Sequence, residues 1–248
     1  MKISISKYPS TPDILVFSTE RGADAETAAP YSGFSLCNCT GDTPDHIREC
    51  RFALCEWLGI DDESLITPRQ THSTEIAVVG RGAIGPLEGV DGLVTAERNV
   101  ALAINTADCV PVLMADSVAG VIGAVHSGWR GTVGGIAAKC VDRMVELGAS
   151  PEFFRVWMGP SICVDCFEVG EEVAEQFDSI AGAVVRVPGK KPHVDLGIAI
   201  KHSLISAGVR AENISLPAAC SFCHHDRFFS ARRLGVASGR TLSVIMRK

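Results

Sequence analysis

Four segments in the middle of the chain are apolar along almost their whole length: GLVT at 92–95, ALAINTA at 101–107, VPVLMA at 110–115 and AGVIGAVH at 119–126. A strand with one wet face alternates polar and apolar residues, so segments like these belong to sheets covered on both sides. DILVFST (13–19), TEIAVV (74–79), RVWM (155–158) and TLSVIM (241–246) read as further strands. The covering layers need helices, and the sequence supplies them. Thr43-Pro44-Asp45 is an N-cap followed by proline at the first helical position. Behind it Ile47, Cys50, Leu54, Trp57 and Leu58 share one face, and Gly59 supplies a stop. Further helices are expected over about 132–147, near 170–177 and over 196–207. Mixed elements in this order predict an α/β or α+β sandwich, while periodicity leaves the strand order open. No repeat, low-complexity tract or linker divides the 248 residues, so one domain over 1–248 is expected.

Composition narrows the function. The formal charge of −6 offers no broad attraction to nucleic acid or an anionic membrane surface. No apolar run approaches the roughly 20 residues that span a bilayer. The opening MKISISKYPSTP lacks the apolar centre and small-residue cleavage site of a signal peptide. Ten cysteines in such a chain read as reduced thiols, some of them metal ligands, and the expected compartment is the cytoplasm.

Three segments place a polar or soft ligand residue at the end of a strand: RQTHS (69–73), NTADCVP (105–111) and AVHSGWRGTVGG (124–135). His72, Cys109 and His126 would make a three-ligand site with the fourth position open to water or substrate, the catalytic zinc pattern. Asp91 and Asp108 are candidates to orient an imidazole from behind. Taken singly, a buried histidine or cysteine is more often plain packing, so spacing alone leaves both readings open.

The turn Ser127-Gly128-Trp129-Arg130-Gly131 leads from strand to helix, where free amides and a guanidinium suit phosphate or carboxylate. It matches neither a P-loop nor a dinucleotide fingerprint. Arg227, Arg232 and Arg233 form a second basic cluster, either reaching the same pocket or solvated at the surface. Two C-x-x-C units, Cys163/Cys166 and Cys220/Cys223, have the ligand types of a structural zinc site. The 53 residues between them far exceed the usual zinc-ribbon gap, so reduced thiols are the expectation and a second zinc the other reading.

The combination and order of these motifs resemble the YfiH-like, or laccase-domain, family, also labelled polyphenol oxidoreductase. The resemblance runs from Ser18-Thr19-Glu20-Arg21-Gly22 and Pro30-Tyr31 through Gln70-Thr71-His72-Ser73 and Asp91-Gly92-Leu93-Val94-Thr95. It continues through Thr106-Ala107-Asp108-Cys109-Val110-Pro111-Val112 and His126-Ser127-Gly128-Trp129-Arg130-Gly131. Gly159-Pro160-Ser161-Ile162, Cys166-Phe167-Glu168-Val169-Gly170 and Phe228-Phe229-Ser230-Ala231-Arg232-Arg233 complete it. It implies a single-domain α/β/β/α sandwich with mixed sheets and zinc on His72, Cys109 and His126. The implied chemistry is phosphorolysis of adenosine, inosine and methylthioadenosine, together with adenosine deamination. The expected partners are therefore purine nucleosides and phosphate, bound by a monomer or small homo-oligomer, with Arg130, Arg232 and Arg233 as substrate-binding candidates. Ser127 stands where the family more usually has alanine and Ala231 where tyrosine is common. Cys163 and Cys223 have no counterpart in the family pattern.

Two other enzyme classes use the same residues. A cysteine hydrolase or deamidase would take Cys109 as nucleophile and His126 as base. A copper polyphenol oxidase is the other, but multicopper centres need closely spaced H-x-H pairs, and the 7 histidines here include none. A zinc-stabilised scaffold that binds a partner through its pocket is the non-enzymatic reading.

Overall fold

The computed structural model describes residues 3–83 and 87–248. The span 1–248 read from sequence thus includes five positions outside the described residues. Two sheets lie face to face. The first runs β1 (Ser4–Lys7), β2 (Ile14–Glu20), β13 (Thr241–Arg247), β6 (Ala101–Thr106) and β3 (Leu65–Ile66). The second runs β12 (Ile214–Ser215), β9 (Phe154–Met158), β7 (Val110–Asp116), β8 (Val121–Ser127), β5 (Val90–Thr95) and β4 (Glu75–Val78). Both are mixed: β3 pairs parallel with β6, and β4 with β5, amid antiparallel neighbours. A small ribbon of β10 (Val184–Val185) and β11 (His193–Val194) stands apart.

Alternation along each apolar strand shows why it lacks polar residues. In β6, Leu102 and Ile104 enter the layer between the sheets, while Ala101 and Ala103 face the other way. There they meet Cys50, Leu54 and Cys55 of helix α1 (Pro44–Leu58). In β7, Leu113 and Ala115 point between the sheets; Val110, Val112 and Met114 point outward. That outer face is covered by α3 (Ile136–Glu146) and α5 (Leu196–Ser206). The layers are therefore α/β/β/α, as the resemblance implied. Each fully buried Leu or Ile in these layers contributes roughly 1.5–3 kcal/mol, and both faces of the central strands are used.

Thr43 accepts the backbone N–H of His46, Pro44 begins α1, and Gly59 closes it in the left-handed region at φ 69°. The helix expected over 132–147 proves to be two. Helix α2 (Trp129–Val133) starts earlier, and α3 follows a break at Gly134 and Gly135, the latter at φ 73°. The helix near 170–177 is short: α4 (Glu171–Ala174) passes into a 3₁₀ turn at Glu175–Phe177. The last helix, α6 (Ala231–Leu234), is capped by Ser230, whose side chain accepts the Arg233 N–H. Among the described residues no helix is long and apolar enough to cross a membrane.

Candidate metal centre and substrate cleft

Three neighbouring strand ends build the site. Cys109 immediately precedes β7, and His126 is the penultimate residue of β8, paired in register with Pro111. The antiparallel ladder thereby brings the thiol and the imidazole to one end of a hairpin. His72 comes from the loop before β4 and adopts φ 62°, an unusual value for a residue with a side chain.

Asp91, fully buried in β5, explains that conformation. Its carboxylate accepts the backbone N–H groups of Thr71 (2.9 Å), His72 (3.0 Å) and Ser73 (2.8 Å). The same carboxylate meets His126 Nδ1 at 2.7 Å. One buried anion thus folds the His72 loop and aims His126. Burial pushes the Asp91 carboxyl up, but hydrogen bonds from His126, Thr71 and Ser73 outweigh it and bring the pKa down to about 2. Asp108, the other carboxylate considered for this role, sits elsewhere: it accepts Ser221 Oγ at 2.7 Å and the Arg232 N–H at 2.7 Å.

The three side chains converge. His72 Nε2 lies 3.8 Å from Cys109 Sγ, and the imidazoles meet edge to face with centroids 4.7 Å apart. One donor atom from each of the three lies within 4.8 Å of the others. Tetrahedral zinc with ordinary Zn–S and Zn–N bonds separates sulfur from nitrogen by about 3.6 Å. Donor chemistry and spacing therefore fit zinc. Burial opposes ionisation of the Cys109 thiol, yet His126 and His72 pull its pKa down to about 6. Burial lowers that of His126, and the charges and hydrogen bonds of Cys109 and Asp91 lift it to about 9. Gly128 completes the centre. A Cβ there would lie 2.9 Å from Cys109 Sγ and 3.0 Å from His72 Cδ2, so the backbone packs where a side chain would intrude.

Cys109, His126 and His72 stand at the wall of a cleft of about 930 Å³. Gln70 and Asn105 share that wall, and Leu36 and Val236 give it apolar surface. Gln70 clips its loop to β6, donating from Nε2 to the Asn105 carbonyl (2.7 Å) and accepting the Asn105 N–H (2.9 Å). The Asn105 side-chain oxygen is buried with no hydrogen-bond partner among the described residues. Helix α1 covers the first sheet and also lends Ile47 and Arg51 to the cleft.

The arginines singled out from sequence do not line it. Arg130 is exposed, with its guanidinium over the Trp129 ring at 4.2 Å. Arg232 donates to the Glu168 carbonyl, and Arg233 lies over Phe222. Arg227 pairs with Glu20 at 2.7 Å. The cleft arginines are Arg51, Arg69 and Arg240. The first two are paired with Asp62 and Glu88, and Arg240 donates to the carbonyls of Val236, Ser238 and Gly239. Nothing in the spacing of Asn105 or Arg240 marked them, because their placement depends on which loops meet. Ser127, where alanine is usual in the family pattern, is buried and bonds Thr132 Oγ1 at 2.9 Å, which satisfies its hydroxyl.

Residues 15–248 match the family described as multi-copper polyphenol oxidoreductase laccase. The chain is 45% identical to adenosine deaminase RL5 from an unknown prokaryotic organism, over 96% of each chain. It is 38% identical to a purine nucleoside phosphorylase of Bacteroides thetaiotaomicron, over 98% of this chain and 94% of that one. The crystal structure of YlmD from Geobacillus stearothermophilus superposes with a TM-score of 0.88 at 29% identity, over 96% of this chain and 93% of that one. YfiH of Bacillus licheniformis gives 0.88 at 28%, over 95% and 93%. By sequence and architecture alike, the chain belongs to the YfiH-like family of laccase-domain proteins.

Proposed function

We propose that this protein is a zinc-dependent purine nucleoside phosphorylase acting on adenosine, inosine and methylthioadenosine, and that the same cleft deaminates adenosine. The observation that carries the proposal is the convergence of His72, Cys109 and His126 at the wall of a cleft with ample room for a nucleoside. The names of the relatives, purine nucleoside phosphorylase and adenosine deaminase, support the substrate class.

Asp91 accepts a hydrogen bond from Nδ1–H of His126, which leaves the Nε2 lone pair as a ligand. Cys109 serves as thiolate and His72 closes the set, each presented from a different strand end. When bound, zinc supplies Lewis acidity toward water, phosphate or the nucleoside. The Asn105 side-chain amide, at the cleft wall and without a partner for its oxygen among the described residues, is a candidate hydrogen-bonding group for a ligand. We assign phosphate neutralisation to Arg130, which lies outside the cleft wall but makes no ion pair with a carboxylate among the described residues and sits just beyond Gly128. Arg232 and Arg233, also outside the wall, would have to leave the Glu168 carbonyl and the Phe222 ring to reach substrate. Ala231 lines the cleft, so the position where the family pattern commonly has tyrosine leaves space for the substrate.

The donor set argues against polyphenol oxidation. Among the described residues, the metal-capable groups are this two-histidine, one-cysteine set and a four-cysteine set, neither a histidine-rich multicopper cluster. The test incubates metal-analysed protein with adenosine, with and without phosphate, and identifies every purine product. The expected result is adenine only with phosphate, and inosine without it, joined by hypoxanthine from inosine phosphorolysis when phosphate is present. Zinc-loaded protein that yields neither would overturn the proposal, as would full activity in metal-free protein or a covalent adduct on Cys109.

A further inference from the structure

The two C-x-x-C units do not stay apart. An isolated parallel bridge joins Ser161 to Cys220, with hydrogen bonds from Ser161 N–H to the Ala219 carbonyl (3.2 Å) and from Ser221 N–H to the Ser161 carbonyl (3.0 Å). The 53-residue gap does not keep the two units apart, because that bridge cancels the distance along the chain. Each unit forms a tight turn. The Cys166 and Phe167 amides donate to the Cys163 carbonyl at 3.0 Å, and the His224 amide donates to the Cys220 carbonyl at 2.9 Å.

The sulfurs of Cys163, Cys166, Cys220 and Cys223 all lie within 4.8 Å of one another, with Cys166 and Cys223 at 3.5 Å. Sulfurs bound tetrahedrally to one zinc are about 3.8 Å apart. The Cys163 amide also donates to the Cys220 sulfur at 3.3 Å, as amides do toward charged sulfur. Packing does not explain the cluster. Cys50 and Cys140 behave as core residues with no exposure, whereas Cys223 is exposed and its three companions are half-buried. Disulfide pairing explains it poorly as well, since each sulfur would then approach one partner rather than three.

We propose that Cys163, Cys166, Cys220 and Cys223 form a second metal site, a four-thiolate structural zinc centre separate from the His72–Cys109–His126 set. Its place in the fold indicates its role. Ile162, beside Cys163, donates its amide to the Asp108 carbonyl at 2.9 Å. Ser221, between Cys220 and Cys223, donates to the Asp108 carboxylate. Asp108 adopts φ 90°, a strained conformation, directly before Cys109. The centre staples together the two loops that hold Asp108 in that conformation.

The test measures zinc per chain in full-length protein purified from zinc-supplied cells, for wild type, Cys109→Ala, Cys223→Ser and the double variant. Expected stoichiometries are near two, one, one and zero. Cys109→Ala reports the four-cysteine site alone, so failure of the proposed activity and failure of this site are distinguishable. Cobalt added to zinc-stripped Cys109→Ala should give the intense charge-transfer bands of a four-thiolate site, and this reading does not need Cys223→Ser to fold. Absence of metal and of those bands in a folded Cys109→Ala would overturn the proposal. So would a Cys166–Cys223 disulfide found by mass spectrometry of wild-type protein prepared under reducing conditions.

Discussion

Asp91 meets Nδ1 of His126 at 2.7 Å while also accepting the backbone N–H of His72, so one carboxylate positions two of the three proposed metal ligands. Its four donors share two oxygens. An asparagine would turn its NH₂ toward two of them. We therefore expect Asp91→Asn to weaken zinc affinity by about 10–100-fold. The same change should lower stability at neutral pH by about 3 kcal/mol, since it breaks a buried network. Chelator competition and urea unfolding measure the two effects separately.

Gly128 and Gly135 make a matched pair. Gly128 has φ −75°, open to any residue, but its Cβ position abuts Cys109 and His72. Gly135 has φ 73° with nothing within 4 Å of its Cβ position. Gly128→Ala should cost about 1–2 kcal/mol in stability and at least about tenfold in zinc affinity. Gly135→Ala should cost about 1 kcal/mol through backbone strain and leave zinc untouched. Equal zinc affinity in the two variants would remove Gly128 from the metal centre.

The Asn105 side-chain amide at the cleft wall predicts a binding effect without a metal effect. Asn105→Ala keeps the backbone clip to Gln70. It should raise KM for the nucleoside about 5–10-fold, the worth of one neutral hydrogen bond, with zinc content unchanged. Steady-state kinetics beside metal analysis decides it.

Tyr8 supplies a pH dependence away from the metal. Burial raises its pKa, and although the Ser18 hydrogen bond and Arg227 oppose this, the value reaches about 12 against an ordinary 10.0. The folded state thus prefers the neutral phenol. The stabilisation is complete below pH 10 and is lost as pH rises toward 12, a change of roughly 2–3 kcal/mol. Urea midpoints followed across that alkaline range should fall less steeply in Tyr8→Phe than in wild type.

The outcome at individual residues shows what kind of information a sequence carries. Apolar strands such as 110–115 declare themselves because both their faces are buried, and Thr43, Pro44 and Gly59 mark a helix through local rules. His72, Cys109 and His126 stood out by residue type at strand ends. The edge strand β1 and the two-residue β3 have too short a pattern to read. Asn105 and Arg240 reach the cleft only through contacts between distant loops, and the same is true of the meeting of the C-x-x-C units. The break at Gly134 and Gly135 lay inside an amphipathic stretch whose periodicity continues across it.

The ladder between β7 and β8 has a consequence for how such a protein can diversify. Cys109 and His126 are held by a hairpin enclosed between layers, so their separation is set by main-chain pairing. The cleft walls come from elsewhere: residues 36–40, 67–70 and 231–240 belong largely to connecting segments. Substitutions in those walls can retune what enters without disturbing the proposed metal ligands, whose hairpin frame tolerates little change of its own. A fixed reactive frame with exchangeable walls lets relatives that bear different enzyme names share one scaffold.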